Sequence, residues 1–207
     1  MTLKIAFLLG LAALSPAIAS AQTTTAATPA QASAAGKFVG DLTSHAFAIL
    51  REEGSRTTVH AKFRAILRDN FAIEQAGNRL IRRYRSQITP AQLAAYQAAL
   101  PEYIINLYAD RLYNYTDAKI RIGRTVPHGA AGSVDVYSRV ETPQRQPFDL
   151  IWAVDNASGG KFQISNVTVS GVNLALTQEA DFSSYIAKNG FDALVNFLKS
   201  ANAKPVA

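Results

Sequence analysis

The side chains that could do chemistry near neutral pH are few in this sequence, and they do not form sets. His45, His60 and His128 lie far apart, lack metal-ligand spacing and have no cysteine beside them. Glu52-Glu53 and Asp110 stand next to Arg51 and Arg111 on expected helices, which is the pattern of ordinary solvated charge. Asp149 alternates with Phe148 and Leu150, so it belongs on the wet face of a strand. No glycine-rich phosphate loop follows a strand, and no G-x-S-x-G elbow occurs. Two features remain. In "NRLIRRYR", Arg79, Arg82 and Arg83 share one helical face with Arg85 further round. That face is either a solubilising one or a docking surface for an acidic partner or a phosphate. The helix that follows is rich in tyrosine: Tyr96, Tyr103 and Tyr108, with Tyr113 and Tyr115 beyond. An apolar ring with a polar tip suits the boundary between an apolar interior and water.

Apolar periodicity defines the elements that must position these groups. Phe38, Leu42, Ala46, Ile49 and Leu50 predict a helix from Lys37 that Gly54 stops, and further helices are expected over about 58–68 and 73–85. "TPAQ" at Thr89 is a helix start: an N-cap threonine, proline at the first position, and Gln92 to close a capping box. Pro101 is expected to kink or break that helix. From Lys119 the period becomes two, through Ile120 and Ile122, Val134, Val136 and Val140, Phe148, Leu150, Trp152 and Val154, then Ile164, Val167 and Val169. Short turns between these runs imply antiparallel pairing, and the slip of phase between Ile164 and Val167 predicts a bulge at Ser165-Asn166. Helices return over about 178–188 and 191–200. The order of helices, a four-strand meander and helices again is that of an α+β domain.

The N-terminal segment is an address. Lys4, an apolar run from Ile5 to Leu14, then Ser15-Pro16 and Ala19-Ser20-Ala21 make a secretory signal peptide, with cleavage expected after Ala21. Residues 22–36, rich in Ala, Thr and Gln, read as a flexible leader, and 37–202 as one domain. The formal charge of +6 favours anionic partners such as lipid headgroups, membrane surfaces or acidic protein faces. Export makes nucleic acid an unsuitable partner.

"TPAQLAAYQAALPEYIINLYADRLYNYTDAKIRI" resembles the middle of the MlaC/toluene-tolerance family, with Thr89, Pro90, Gln92, Tyr108, Leu112 and Tyr115 matching. "FQISNVTVSGVNLALTQEADFSSYIAKNGFDALVNFL" resembles the family's closing signature through Phe162, Ile164, Val167, Val169, Gly171, Val172, Leu174, Gly190, Phe191, Asp192 and Leu194. The family's aspartate and serine in that signature are Asn166 and Asn173 here. The resemblance implies an α+β fold: a curled, mainly antiparallel four-stranded sheet packed against helices, nuclear-transport-factor-2-like, with a deep apolar cavity. It implies a periplasmic carrier of glycerophospholipid that serves outer-membrane lipid asymmetry. Its partners would be an outer-membrane lipoprotein–porin complex and the lipid-binding subunit of an inner-membrane ABC transporter. No catalysis, cofactor or metal is implied. The expected lining is Leu80, Tyr84, Tyr103, Leu107, Val136, Leu150, Trp152, Ile164, Val167, Val169 and Leu174, with Arg79, Arg82, Arg83 and Arg85 as docking candidates. A relative handling hopanoids or other lipids, a periplasmic adaptor that binds only proteins, and an enzyme on a similar scaffold remain the alternatives.

Overall fold

The computed structural model of the chain describes residues 27–52, 56–112, 115–128, 132–157 and 160–204. The expected signal peptide, the first part of the expected leader, Gly54 and Tyr113 lie outside the described residues.

Helix α1 (Pro29–Arg51) begins inside the segment expected to be a flexible leader, not at Lys37. The leader assignment is therefore corrected from residue 29 onward. Thr28 and Gln31 form a reciprocal capping box, with the Gln31 N–H donating to Thr28 Oγ1 at 3.2 Å and the Thr28 N–H to Gln31 Oε1 at 2.8 Å. Packing supplies the rest of the reason. Ala32, Ala35 and Gly36 are buried, and a Cβ on Gly36 would stand 3.0 Å from Thr125 Cγ2. Small side chains each bury little area, but they let the helix backbone come close to a sheet and gain dispersion contact along its length.

The chain continues through α2 (Arg56–Asn70), α3 (Ile73–Leu80), a 3₁₀ turn (Arg82–Tyr84) and α4 (Pro90–Leu112). Strands β1 (Lys119–Pro127), β2 (Val134–Thr142), β3 (Arg145–Ala157), β4 (Lys161–Val169) and β5 (Val172–Asn173) follow, then α5 (Leu174–Asn189) and α6 (Phe191–Asn202). The third helix is shorter than expected, because the chain tightens into the 3₁₀ turn after Leu80. Helix α4 runs unbroken through Pro101. An interior proline costs about 3 kcal/mol, and the packing of α4 against α2, α3 and α6 offsets it.

The sheet is antiparallel in the order β1-β2-β3-β4-β5, the expected meander with one short strand added at its edge. Ile164 pairs with Val154 and Asn166 with Ala153, so Ser165 is the extra residue of a bulge, where the phase slip places it. Bulges in β1 and β4 curl the sheet around the helices. Helix α1 covers β1 and β2 on one face, while α2, α3 and α5 reach β4.

The bulge is also an anchor. The Ile164 carbonyl accepts the Ala72 N–H at 2.9 Å, at the junction of α2 and α3. The Ser165 carbonyl accepts Arg79 Nη2 at 3.0 Å, and Asn166 Oδ1 accepts the Ala175 N–H of α5 at 3.1 Å.

Below this hub α3 lies tight on α4: a Cβ on Gly77 would stand 2.3 Å from Leu100 Cδ2, and Leu100 is itself buried. Gly77→Ala is therefore expected to cost about 1–3 kcal/mol through overpacking, despite alanine's better helix propensity, as read by urea unfolding.

Candidate functional site

One face of the sheet is an apolar wall turned toward the helices. Val134, Val136 and Val154 are fully buried there, with Val140, Leu150 and Ile164 nearly so. Trp152, Val167 and Val169 occupy equivalent positions in the same register, yet are only half-buried. Trp152 donates from Nε1 to Ser138 Oγ at 2.9 Å, which fixes the indole against β2.

The expected lining residues fall into distinct groups. Val136 and Ile164 belong to a core made with α1, α2 and the C-terminal half of α4, and Trp152 and Val167 pack at its margin. Leu150 belongs to a smaller cluster with Val140 and Ala118, and Trp152, Val167 and Val169 pack on that one too. Leu80 is buried in a separate helical core with Tyr96, Leu100, Phe182 and Leu194, against which Tyr84 and Tyr103 pack. Leu107 and Leu174 are half-buried and join none of these clusters among the described residues. Helix α4 spans the division: Tyr96, Ala99 and Leu100 serve the helical core, Ile105 and Ala109 the core beneath the sheet.

The tyrosines of α4 divide between these regions, Tyr96 and Tyr103 with the helical core and Tyr108 with the core beneath the sheet. Tyr96 is fully buried and donates to the Gly77 carbonyl at 2.9 Å, and burial holds its hydroxyl well above the ordinary tyrosine value. Burial also raises Tyr103 and Tyr108; Arg111 opposes the shift in both. Tyr103 packs against Phe182 and Phe197, with ring centroids 6.2 and 5.7 Å away.

The arginines do not share a helical face, because the helix ends before Arg82. Arg79 is committed to the Ser165 carbonyl, and Arg82 pairs with Glu179 at 3.3 Å. Arg83 and Arg85 are exposed, and their guanidinium groups make no ion pair among the described residues. Asp149 is exposed on the outer face of the sheet and pairs with Arg139 at 2.9 Å. His45 is exposed, His60 is buried, and His128 lies 3.2 Å from Asp135.

Sequence reasoning missed an open groove of about 610 Å³ on the face of the sheet opposite the helices. Arg121, Arg124, Tyr137, Arg139, Asp149 and Ile151 line it, with the Ser170–Gly171 turn at one side. The signal was present in the outward positions of "RIGR" and "YSR", which alternate with the apolar positions used to find the strands.

A family model described as MlaC protein matches residues 41–200. The chain belongs to the MlaC family. Among solved structures, this MlaC-family protein is similar to the phospholipid-binding protein from Ralstonia solanacearum, determined in complex with a phospholipid, at 24% identity and a TM-score of 0.67. The alignment covers 82% of this chain and 97% of that one.

The two replacements in the closing signature of this MlaC-family protein act together. Asn173 is the N-cap of α5, accepting the Leu176 N–H at 3.0 Å, while Asn166 accepts the next free donor, that of Ala175. Both asparagines are neutral acceptors for backbone donors at a helix N-terminus.

Arg79→Ala is expected to cost about 1–2 kcal/mol, since it strips a charged donor from a bulge carbonyl. Arg83→Ala and Arg85→Ala should stay within about 0.5 kcal/mol of the parent, all three read by urea unfolding. The contribution of these buried tyrosines to stability should be constant up to about pH 10, where unfolded tyrosine ionises. It should then fall as pH rises toward the higher native values, because the unfolded state sheds protons that the native state keeps. Tyr96→Phe is expected to cost about 1 kcal/mol at pH 7 and to make the alkaline decline shallower.

Proposed function

We propose that this MlaC-family protein is a periplasmic, non-catalytic carrier of glycerophospholipid between the outer and inner membranes. The observation that carries the reading is the incomplete burial of Trp152, Val167 and Val169 on a sheet face turned toward the helices. In a filled core such residues would be covered by their neighbours. Left half-covered at the margins of the core beneath the sheet and of the Leu150 cluster, with Leu107 and Leu174 also part-exposed, they suit the walls of a seat for hydrocarbon. The likeness in fold to a protein determined with a phospholipid supports the same assignment, as does family membership. The curled sheet, with helices closing one face, suits the nuclear-transport-factor-2-like arrangement that the reading requires. The N-terminal sequence supports export to the periplasm.

Binding and release need no reacting group. Sheltering acyl chains gains roughly 0.8 kcal/mol per methylene relative to water, on the order of 20 kcal/mol for two long chains. A bilayer offers the same refuge, so transfer between pocket and membrane is near balance. The docking partners must then set its direction: a lipoprotein–porin complex at the outer membrane, and the lipid-binding subunit of an ABC transporter at the inner membrane. The helix-facing strand positions fit a passive role, since Ser138 is held by Trp152 and no carboxylate or imidazole stands among the described ones.

Native mass spectrometry of the protein purified from a periplasmic extract is expected to show one bound phospholipid per chain. Trp152, the only tryptophan, should shift its emission to the blue on lipid uptake. Val169→Asp should lower lipid occupancy at least tenfold while leaving the circular dichroism spectrum unchanged. A folded parent protein that copurifies with no lipid and takes up none from vesicles would overturn the carrier reading.

A further inference from the structure

The half-covered part of the sheet wall continues into a rim that carries a cation. Trp152, Val167 and Val169 pack on the cluster of Ala118, Val140 and Leu150, and so do Phe148 and Tyr115. Phe148 pairs with Val140 in register, so its ring stands on the helix-facing side of the sheet with Leu150 and Trp152. Tyr115, in the segment between α4 and β1, meets that ring edge to face, with centroids 5.9 Å apart. Arg145, at the start of β3, then covers the tyrosine. Its guanidinium lies 5.1 Å from the ring centroid, and Nη1 donates to Tyr115 Oη at 3.1 Å. Contacts therefore run without a break from the wall to Arg145.

Other contacts hold the rim in place. Arg51, at the end of α1, donates to the Thr116 carbonyl at 3.1 Å and the Ala118 carbonyl at 3.0 Å, which ties down the segment that carries Tyr115. Arg145 is exposed and makes no ion pair with a carboxylate among the described residues. A guanidinium stacked on a ring and bonded to its hydroxyl through one nitrogen keeps its charge and its remaining donors. Those donors match the free oxygens of a phosphodiester in fork geometry. In a glycerophospholipid the phosphodiester joins the same glycerol as the acyl chains, so a group that reads it must border the wall that takes the chains. Arg145 meets that condition through Tyr115 and Phe148, and one positive charge answers one phosphate.

We propose that Arg145, stacked on Tyr115, holds the phosphate of the bound glycerophospholipid at the open end of the acyl seat. Arg51 is a positioning residue, acting through the Tyr115 segment. The inference rests on the carrier reading and adds where the seat opens and which part of the headgroup is recognised.

Titration of the delipidated protein, followed by native mass spectrometry, tests it with two lipids of identical chains: phosphatidylethanolamine, and diacylglycerol, which lacks the phosphate. The parent should bind phosphatidylethanolamine more tightly. Arg145→Gln should weaken that binding about tenfold, the worth of a charged hydrogen bond, and leave diacylglycerol binding unchanged. Arg121→Gln, which removes the same charge from the outer face of the sheet, should change neither. The Arg145 variant should melt within a few degrees of the parent, since an exposed stacked pair adds little stability. Equal affinity of parent and Arg145→Gln for phosphatidylethanolamine would overturn the proposal, and so would an equal loss for both lipids. Binding of inorganic phosphate that Arg145→Gln abolishes while lipid affinity holds would also overturn it, assigning the arginine to a free anion. A parent that takes up neither lipid would sink the carrier reading itself, and this inference with it.

Discussion

A single extra residue in a strand sets where the helices stand on this sheet. A bulge interrupts the ladder, and the backbone groups it frees must find partners elsewhere or bear the cost of burial unpaired. Here two carbonyls find them at the α2–α3 junction and on α3, and a neighbouring side chain reaches α5. Ile164 takes the N–H of Ala72, Ser165 takes Arg79, and the Asn166 side chain takes the N–H of Ala175. Three consecutive residues of β4 thus fix the α2–α3 junction, the body of α3 and the start of α5. The same insertion restores Val167 and Val169 to the helix-facing side, because strand side chains alternate and one added residue reverses them. Position of the helices and direction of the wall follow from one local irregularity.

From that anchor the interior divides. Helix α4 feeds one core from its N-terminal half and another from its C-terminal half, with Pro101 at the changeover. Two cores sharing a long helix need not close on each other where the helix passes from one to the next. Tyr103 and Leu107 on α4 and Trp152, Val167 and Val169 on the sheet are each only half-buried. A ligand with long apolar chains could complete the burial that the protein leaves unfinished. The tyrosine hydroxyls of α4 would be tolerated at such a margin, since Tyr96 already satisfies its own deep within the helical core.

Where the sequence spoke through periodicity it was legible. The strands, their antiparallel order and the bulge follow from alternation and its single slip between Ile164 and Val167. Helix starts were legible only in part. The same four residues, Thr-Pro-Ala-Gln, open α1 at Thr28 and α4 at Thr89, yet the first copy lies in an Ala-rich stretch that low hydrophobicity makes look structureless. Its ordering comes from close approach to β1, a tertiary gain that local composition does not register. The arginine run misled for the converse reason: uniform helical spacing was assumed across Ile81, where the backbone leaves the α-helix. The apolar wall was legible as a face. Whether its members meet one another or a ligand was not, because both outcomes require the same residue types.

The sheet's two faces present different chemistry on alternate residues of the same strands. In β2, Val136, Ser138 and Val140 face the helices while Tyr137 and Arg139 face outward, and β3 repeats the pattern with Trp152 against Asp149 and Ile151. A strand cannot shift its register to improve one face without reversing the other. The curl produced by the bulges would shape the acyl seat on one side, and on the other it sets how the outer arginines are presented.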